Sequence, residues 1–390
     1  MNKKKTVNLD IKQYGMLIAL IAVYLIFAVL TDGKNLSAAN VNNLIMQNGY
    51  VVILAVGMLL CVLTGNVDLG VGSVVALCGA VVGTLMIDFG VNMWGAILAA
   101  LVVGVLCGAF VGFFVSQIGI PPFIVTLATM LMARGLTYTI LQAQTKGPLP
   151  NAYNYIGAGF LPTVKIPFAG GTIDLISIVV AIIATILIIF GEIKSIKTKK
   201  KYGFALNPTW QTAVKVVVIL AIVWFFCYKL ACYNGIPFSL VIVGIIVGIY
   251  HFITTKTVAG RQVYALGGNA KAARLSGINT KKVFFWVYLN MGVLASVAGI
   301  VLAARNGSAT PKAGDQFEMD AIASCYIGGA ATSGGIGTIM GAVVGALVMG
   351  VLNNGMSLFG LSTDIQKIVK GAVLLGAIAI DLISKNKKKA

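Results

Sequence analysis

The sequence predicts an all-α polytopic membrane protein, and three observations carry that prediction. Of the 390 residues, 58% are hydrophobic and only 10% are charged, whereas soluble domains carry roughly 25% charged residues. The mean hydropathy is +0.95. Apolar runs long enough to cross a bilayer alternate with short polar stretches along the chain. We therefore expect one transmembrane domain over residues 1–390.

Ten apolar segments are predicted to span the membrane. Trp94 and Trp286 stand at the ends of two of them, where an indole favours the headgroup zone. Pro121 and Pro122 separate the fourth segment from the fifth. No small-residue cleavage site follows the first segment, so we expect an uncleaved span there. The segments are residues 14–30, 48–63, 74–87, 94–115, 123–141, 174–190, 213–230, 238–254, 284–303 and 365–382.

Two further apolar pieces, residues 321–332 and 336–351, are separated by Ser333–Gly335. The first piece has about 12 apolar residues, short of the roughly 20 needed to cross a bilayer. The pattern favours a re-entrant or broken-helix hairpin added to ten spans. The alternative is that each piece crosses, which would make twelve spans.

The net charge of +18 follows the topology of the membrane. Four of the 29 Lys and Arg residues lie at the N-terminal end, six at residues 194–215, six at residues 256–282 and four at the C-terminus. These groups fall in alternate loops, so the positive-inside rule makes those loops and both termini cytoplasmic. The same rule explains the charge without nucleic acid. The stretch 192–212 is predicted to be a basic cytoplasmic insertion.

Groups for enzyme chemistry are scarce. The chain contains no P-loop, HExxH or GxSxG motif, and no carboxylate pair within a span. The six cysteines form no CxxC pair and resemble small hydrophobic residues, and His251 is the single histidine. We therefore expect no catalytic, metal or cofactor site. The chain is predicted to be a non-enzyme.

A polar, basic segment at residues 261–282 separates two apolar runs. Residues Asn269–Leu275 can form a short amphipathic helix, and Gly277 is well placed to end it. Such a helix between two spans is what a membrane subunit offers to a soluble partner. Composition alone fits an ordinary cytoplasmic loop equally well.

Glycine marks two interrupted segments, GNVDLGVGS at residues 65–73 and GGAATSGGIG at residues 328–337. They occupy comparable places in the two halves of the chain, which hints at an internal repeat. Transporters place their pathway at such breaks, because free backbone groups at membrane depth need water or substrate as partners. Glycines four residues apart also predict a strip without side chains on one helix face, where a neighbouring helix can pack closely, at positions 104, 108 and 112 and at positions 337, 341 and 345.

Few ionisable residues fall within the predicted spans or the breaks between them. Asp364, Lys367 and Lys370 are spaced to share one helix face, and internal pairing is favoured over transport. Arg134 is a further candidate. Asp68 fits capping and pathway lining equally. The absence of a relay of several carboxylates weighs against a stand-alone secondary transporter.

Four stretches make the chain resemble a family. They are LTGNVDLGVGSVVAL at 63–77, PPFIVTLATMLMARGLTYTI at 121–140, GGNAKAARLSGINTKKV at 267–283 and EMDAIASCYIGGAATSGGIGTIMGAVVGALVMGVLNNGMSLFGLS at 318–362. In this order they resemble bacterial ABC sugar-importer permeases of the ribose, xylose and galactose type. The length and the basic insertion resemble xylose or multiple-monosaccharide permeases in particular. Asn66 and Gly70 depart from the family's first signature.

The resemblance implies a function and a set of partners. It implies a permease for monosaccharides in the bacterial cell membrane that pairs with a second copy. It also implies a cytoplasmic ABC ATPase, which docks on the coupling segment, and an extracellular sugar-binding protein, which delivers substrate. The implied ATPase-coupling residues are Gly267, Gly268, Asn269, Ala272, Ala273, Arg274, Leu275, Ser276, Gly277 and Ile278.

A path for a neutral sugar should be short of fixed charge and supplied with amides and hydroxyls. The candidate pathway residues are Asn66, Asp68, Ser73, Thr126, Thr129, Ser333, Asn353 and Asn354. Related permeases carry nucleosides or branched-chain amino acids, which are the nearest alternative substrates. A stand-alone secondary transporter is the alternative from another class.

Overall fold

A computed structural model describes residues 11–168, 171–203 and 208–386. Fifteen α-helices account for most of these residues, so the all-α prediction is confirmed. A 3-10 turn precedes the second helix, and a π-helical segment, Phe114–Ile118, extends the fourth. The helices are α1 (Ile11–Leu30), α2 (Ala38–Leu63), α3 (Val71–Ile87), α4 (Met93–Phe113), α5 (Pro122–Leu141), α6 (Asn151–Ala158), α7 (Leu175–Lys201), α8 (Thr209–Ala231), α9 (Phe238–Lys256), α10 (Val258–Gly268), α11 (Ala270–Leu275), α12 (Thr280–Asn306), α13 (Phe317–Ile327), α14 (Ile339–Leu358) and α15 (Thr363–Asn386).

Eight of the helices within the described residues are long and apolar enough to cross a membrane: α2, α4 with its π-helical extension, α5, α7, α8, α9, α12 and α14. Shorter apolar stretches lie in α1 and α3. The prediction of a polytopic membrane protein is therefore confirmed. Helix α15 is not among the eight, since its first turns carry Asp364, Lys367 and Lys370.

Helices α2 and α12 form the centre of the bundle. Nearly every residue of α2 from Val51 to Leu63 is buried, and so are most of those of α12 from Met291 to Ala304. Helices α3, α4, α13 and α14 pack around this pair. A helix that is apolar all round is stable only when it is surrounded by other helices or lipid. Helices α2 and α12 meet that condition, because other helices of the bundle surround them.

Glycines let α4 and α12 approach closely. A methyl group added at Gly104 would lie 2.5 Å from the Gly292 carbonyl oxygen, and one added at Gly108 would lie 2.7 Å from the Tyr288 carbonyl oxygen. Gly112 lies against Phe285 in the same way. The predicted strip without side chains on α4 is confirmed, and it permits the van der Waals packing that drives helix association in lipid.

The second glycine series divides between a loop and a helix. Gly341 and Gly345 lie on α14 and pack against the backbone of α13. Gly337 precedes α14 and adopts a φ of +156°. The prediction that all three share one helix face is therefore wrong for Gly337.

The bundle has two ends. The α10 end holds α10 and α11 together with the last turns of α2 and α9 and the first turns of α12. The α6 end holds α6, which packs on the last turns of α12, and a hairpin of strands β1 (Lys165–Phe168) and β2 (Gly171–Asp174). The strands are antiparallel and pair Lys165 with Asp174.

Two breaks in the helices coincide with the predicted glycine segments. Residues 64–70 connect α2 to α3 without a regular helix, and residues 328–338 connect α13 to α14. Helix α13 has only 11 residues, whereas α14 has 20 and is long enough to cross a membrane. The predicted break between the two apolar pieces is confirmed, and the choice between ten and twelve spans stays a prediction.

Two segments predicted as polar loops are helical. Helix α2 begins at Ala38, well before the expected start of the span at residue 48. The early turns contain Asn40 and Asn42, which are buried, because their amides find hydrogen-bond partners inside the protein. Helix α7 likewise continues through the basic run to Lys201.

The ionisable residues of α15 pair with other elements rather than with one another. The Lys370 ammonium lies 3.0 Å from the Asp320 carboxylate in α13, and the Lys367 ammonium lies 3.1 Å from Asp315 before α13. Among the described residues, Asp364 forms no ion pair. These contacts fasten the first half of α15 to α13.

Candidate functional site

The predicted coupling helix exists, and local chemistry sets both of its ends. The Asn269 side-chain oxygen accepts a hydrogen bond of 3.0 Å from the Ala272 backbone N–H, which caps the start of α11. Gly277 follows the helix with a φ of +84°, in the left-handed region that ends helices. The prediction of a short helix ended by Gly277 is confirmed.

One face of α11 is unpartnered. The Leu275 side chain is 90% exposed, and Arg274 is also exposed, whereas Ala273 is buried against the protein. Lys271 and Ala272 are exposed as well. The exposed Leu275 can supply apolar contact to another molecule, and the neighbouring Arg274 can supply a positive charge.

The start of the coupling segment touches both broken helices. A methyl group added at Gly267 would lie 1.6 Å from the Leu63 carbonyl oxygen and 2.7 Å from the Gly335 backbone nitrogen. Leu63 ends α2, and Gly335 lies in the loop before α14. Only glycine fits where three backbone segments meet this closely.

Hydrogen bonds hold the same three segments together. The Gly335 N–H donates to the Leu63 carbonyl oxygen at 2.8 Å, and the Tyr264 hydroxyl of α10 donates to the Gly337 carbonyl oxygen at 2.7 Å. Burial raises the pKa of the Tyr264 phenol, so the hydroxyl keeps its proton at neutral pH. We call this contact the junction; it comprises Leu63, Tyr264, Gly267, Gly335 and Gly337.

The predicted pathway residues of the first break make local contacts. The Asn66 amide nitrogen donates to the Thr64 carbonyl oxygen at 3.1 Å. Asp68 is buried, and its carboxylate accepts from the Gly70 backbone N–H at 2.8 Å. Asp68 therefore caps the turn that leads into α3. Of its two predicted roles, capping and pathway lining, this is the capping role.

Three predicted hydroxyl residues, Ser73, Thr126 and Thr129, are buried in the packed bundle. The threonine hydroxyls donate to carbonyl oxygens of their own helix, that of Thr129 to Val125 at 2.9 Å. Asp68 and Thr129 border a void of about 10 Å³, the space of about one water molecule. This void is far too small for a sugar.

The remaining predicted residues lie apart. Ser333 is exposed at the α10 end. Asn354 and Asn40 exchange two amide hydrogen bonds of 2.9 and 3.1 Å, which join α14 to α2. Asn353 instead borders a polar cavity of about 290 Å³.

That cavity, which we call the polar cavity, lies between α2, α13, α14 and α15, at the last turn of α12. Asp320 lines it; this side chain is buried and holds Lys370 at 3.0 Å and the Asn353 amide nitrogen at 3.3 Å. Tyr50 and Phe317 stack with ring centres 4.3 Å apart at its wall. Its other lining residues are Gln47, Asn48, Val51, Arg305, Gly350, Ser357 and Gln366.

A comparison with protein families decides the kind of protein. The family model for the branched-chain amino acid transport system / permease component matches residues 40–193 and 193–378. The chain belongs to this permease family. Both broken helices and the predicted coupling segment lie inside the matched residues.

Characterised relatives of the permease match over nearly its whole length. The xylose transport system permease protein XylH of Haemophilus influenzae is 36% identical, with 100% of each chain covered. XylH of Escherichia coli K12 is 35% identical over 97% of this chain and 94% of its own. The ribose import permease protein RbsC of Escherichia coli K12 is 34% identical, over 96% of this chain and 93% of its own. No solved structure matches the permease.

Sequence reasoning missed most residues of the junction and of the polar cavity. Leu63 and Tyr264 gave no signal beyond apolar and aromatic character, because their role depends on contacts between distant segments. Asp320 falls just outside the predicted apolar pieces, but it is 2% exposed within α13. A signal was present, since Glu318 and Asp320 border an apolar run in which unpaired charge would be costly.

Proposed function

We propose that this permease is the membrane subunit of an ATP-driven importer for monosaccharides such as xylose or ribose. The similarity to XylH and RbsC over almost the full length supports the substrate class. The single observation that carries the proposed mechanism is the exposed α11 helix beside the junction. A soluble partner that binds α11 can therefore act on both broken helices through the junction.

We propose three protein partners. A cytoplasmic ABC ATPase subunit binds the exposed face of α11, where Leu275 supplies apolar contact and Arg274 a charge. A second copy of the permease completes the pore. An extracellular sugar-binding protein delivers the substrate at the α6 end.

The proposed coupling runs through rigid contacts. ATP binding closes the ATPase, and this movement shifts α11 and α10. Gly267 and Tyr264 transmit the shift, since they contact Leu63 of the first break and the Gly335–Gly337 stretch of the second. The coupling residues of this proposal are those expected from the sequence, from Gly267 to Ile278.

We place the α10 end in the cytoplasm of a bacterial cell, with the protein in the plasma membrane and both termini inside. The basic residues of α10, α11 and the start of α12 support this orientation. Helix α7 begins at the α6 end, so the basic run in its last turns also lies toward the α10 end. Residues 1–390 form a single transmembrane domain in this proposal. The stretch 192–212 is its basic cytoplasmic insertion.

The experiment is sugar uptake by proteoliposomes that contain the permease, its ATPase and the loaded binding protein. The test variant carries Arg274→Asp and Leu275→Asp, which places negative charge on the exposed face of α11. We expect ATP-driven uptake to fall about tenfold or more, since the loss of a hot-spot residue at an interface costs more than about 1 kcal/mol. The permease should still fold, because neither side chain is buried.

The matched control is Thr363→Asp, an exposed substitution at the opposite end of the bundle. It should leave uptake and stimulated ATP hydrolysis intact. Full coupling in the α11 variant would refute the docking assignment. Uptake by the permease alone under an ion gradient would favour a secondary transporter, and uptake of nucleosides or branched-chain amino acids in place of sugars would change the substrate class.

A further inference from the structure

The polar cavity is unusual for its surroundings. It lies in a bundle whose other described interior is overwhelmingly apolar, yet amides and charged groups line most of it. Its volume of about 290 Å³ is at the lower end of the range for small-molecule pockets. Polar groups at such depth are costly unless a partner satisfies them.

Three oxygen atoms at the cavity wall lack a partner within the described residues. They are Oδ1 of Asn48, Oδ1 of Asn353 and Oδ1 of Asp320. Asn48 and Asp320 are 3% and 2% exposed, so bulk water does not satisfy them. All three are hydrogen-bond acceptors, and they call for a ligand with several donors.

The charges of the cavity are partly neutralised. Lys370 offsets the Asp320 carboxylate, and Asn353 donates to the same carboxylate oxygen, Oδ2. Arg305 belongs to none of the ion pairs of the described residues, and it supplies further hydrogen-bond donors. A ligand that both donates and accepts through several hydroxyls fits this set better than an ion does.

We propose that the polar cavity binds a neutral, hydroxyl-rich ligand, a monosaccharide on its way through the permease, with Asn353 and Asp320 as its principal acceptors. This inference rests on the proposed function and assigns a position on the path. Tyr50 and Phe317 add an aromatic wall against which a sugar ring packs. The cavity lies toward the α6 end, on the side where the binding protein would deliver substrate.

The first test is uptake of radiolabelled D-xylose and D-ribose by the reconstituted complex with the variant Asn353→Leu. Leucine keeps the size of asparagine and removes its polar atoms. Uptake should fall about tenfold or more, because a hydroxyl-binding site that loses its polar group discriminates strongly. Thr363→Val makes a similar exchange at an exposed position of α15 outside the cavity and should transport like the wild type.

The second test measures occupancy directly and does not depend on transport. The variant Ser357→Cys, at a lining position of the cavity that is not a proposed acceptor, is treated with a membrane-impermeant thiol reagent, with and without saturating D-xylose or D-ribose. Sugar should slow the modification of this cysteine and leave that of Thr363→Cys unchanged. The wild-type complex, with its native cysteines, gives the background.

The outcomes separate the two proposals. Sugar uptake by the wild type with a fully active Asn353→Leu variant, or with no protection of Ser357→Cys, overturns the cavity assignment and leaves the proposed function standing. Absence of uptake of both sugars by the wild-type complex overturns both. Loss of uptake together with protection supports the cavity, provided that the melting temperature of Asn353→Leu stays near that of the wild type.

Discussion

Single glycine positions decide how closely the coupling segment reaches the broken helices. Gly267 and Gly268 are neighbours at the end of α10, and the sequence gives no reason to separate them. A side chain at Gly267 would collide with the backbone of Leu63 and Gly335, whereas one at Gly268 would meet no atom within 4 Å. The two positions therefore provide a matched test of the junction.

We expect Gly267→Ala to destabilise the permease by about 1–3 kcal/mol, the usual cost of overpacking. The atoms that the new methyl group meets belong to the backbone, so they cannot rotate away. The new methyl group should also displace α10 from Leu63 and Gly335, and this displacement should lower the amount of sugar imported per ATP hydrolysed. Thermal unfolding in detergent and coupled uptake measure the two effects.

Gly268→Ala is the control, and it should change neither quantity. A Gly267→Ala protein that is as stable and as tightly coupled as Gly268→Ala would show that the junction does not hold the three segments together.

At the scale of elements, buried amides join helices that the sequence presented as separate spans. Asn40 of α2 and Asn354 of α14 are 314 positions apart and exchange two hydrogen bonds. Asn48 of α2 also donates to the Ala346 carbonyl oxygen of α14 at 2.9 Å. Polar side chains act in this way as connections between membrane helices. The side chain of Asn354, a predicted pathway residue, is therefore used to join two helices.

We expect Asn354→Leu to lower the free energy of unfolding by about 1–2 kcal/mol, because the buried Asn40 side-chain oxygen loses the donor that Asn354 supplies. The double variant Asn40→Leu with Asn354→Leu should recover part of the loss, since neither partner of this contact is then left without the other. Chemical or thermal unfolding of the three variants forms a double-mutant cycle. Strictly additive losses would contradict a direct interaction between the two amides.

At the scale of the whole molecule, the distribution of basic residues and the position of α11 agree on one orientation. The α10 end carries α11, and the basic run of α7 lies at the helix end remote from the α6 end. The α6 end carries the hairpin and the native Cys232, which is exposed. The proposed topology, which rests on the positive-inside rule, has the first of these ends in the cytoplasm.

Thiol labelling of intact cells checks this orientation. An impermeant reagent should modify the native Cys232 from outside. In a Cys232→Ser background, a cysteine introduced by Leu275→Cys should react only after the cells are opened, because α11 faces inward. Modification of Leu275→Cys in intact cells would reverse the topology and remove the proposed site of the ATPase.

The sequence by itself determined the class of protein, the approximate spans, the two interrupted segments and the short helix at Asn269–Leu275. These features follow from local composition, helix capping and glycine spacing, which act over a few neighbouring residues. Only the tertiary structure decided that Gly267 meets Leu63 and Gly335, that Lys370 reaches Asp320, and that Asn353 and Asn354 have different surroundings. Those relations join residues far apart in the chain, and they depend on how the helices pack, which hydrophobicity and periodicity do not specify.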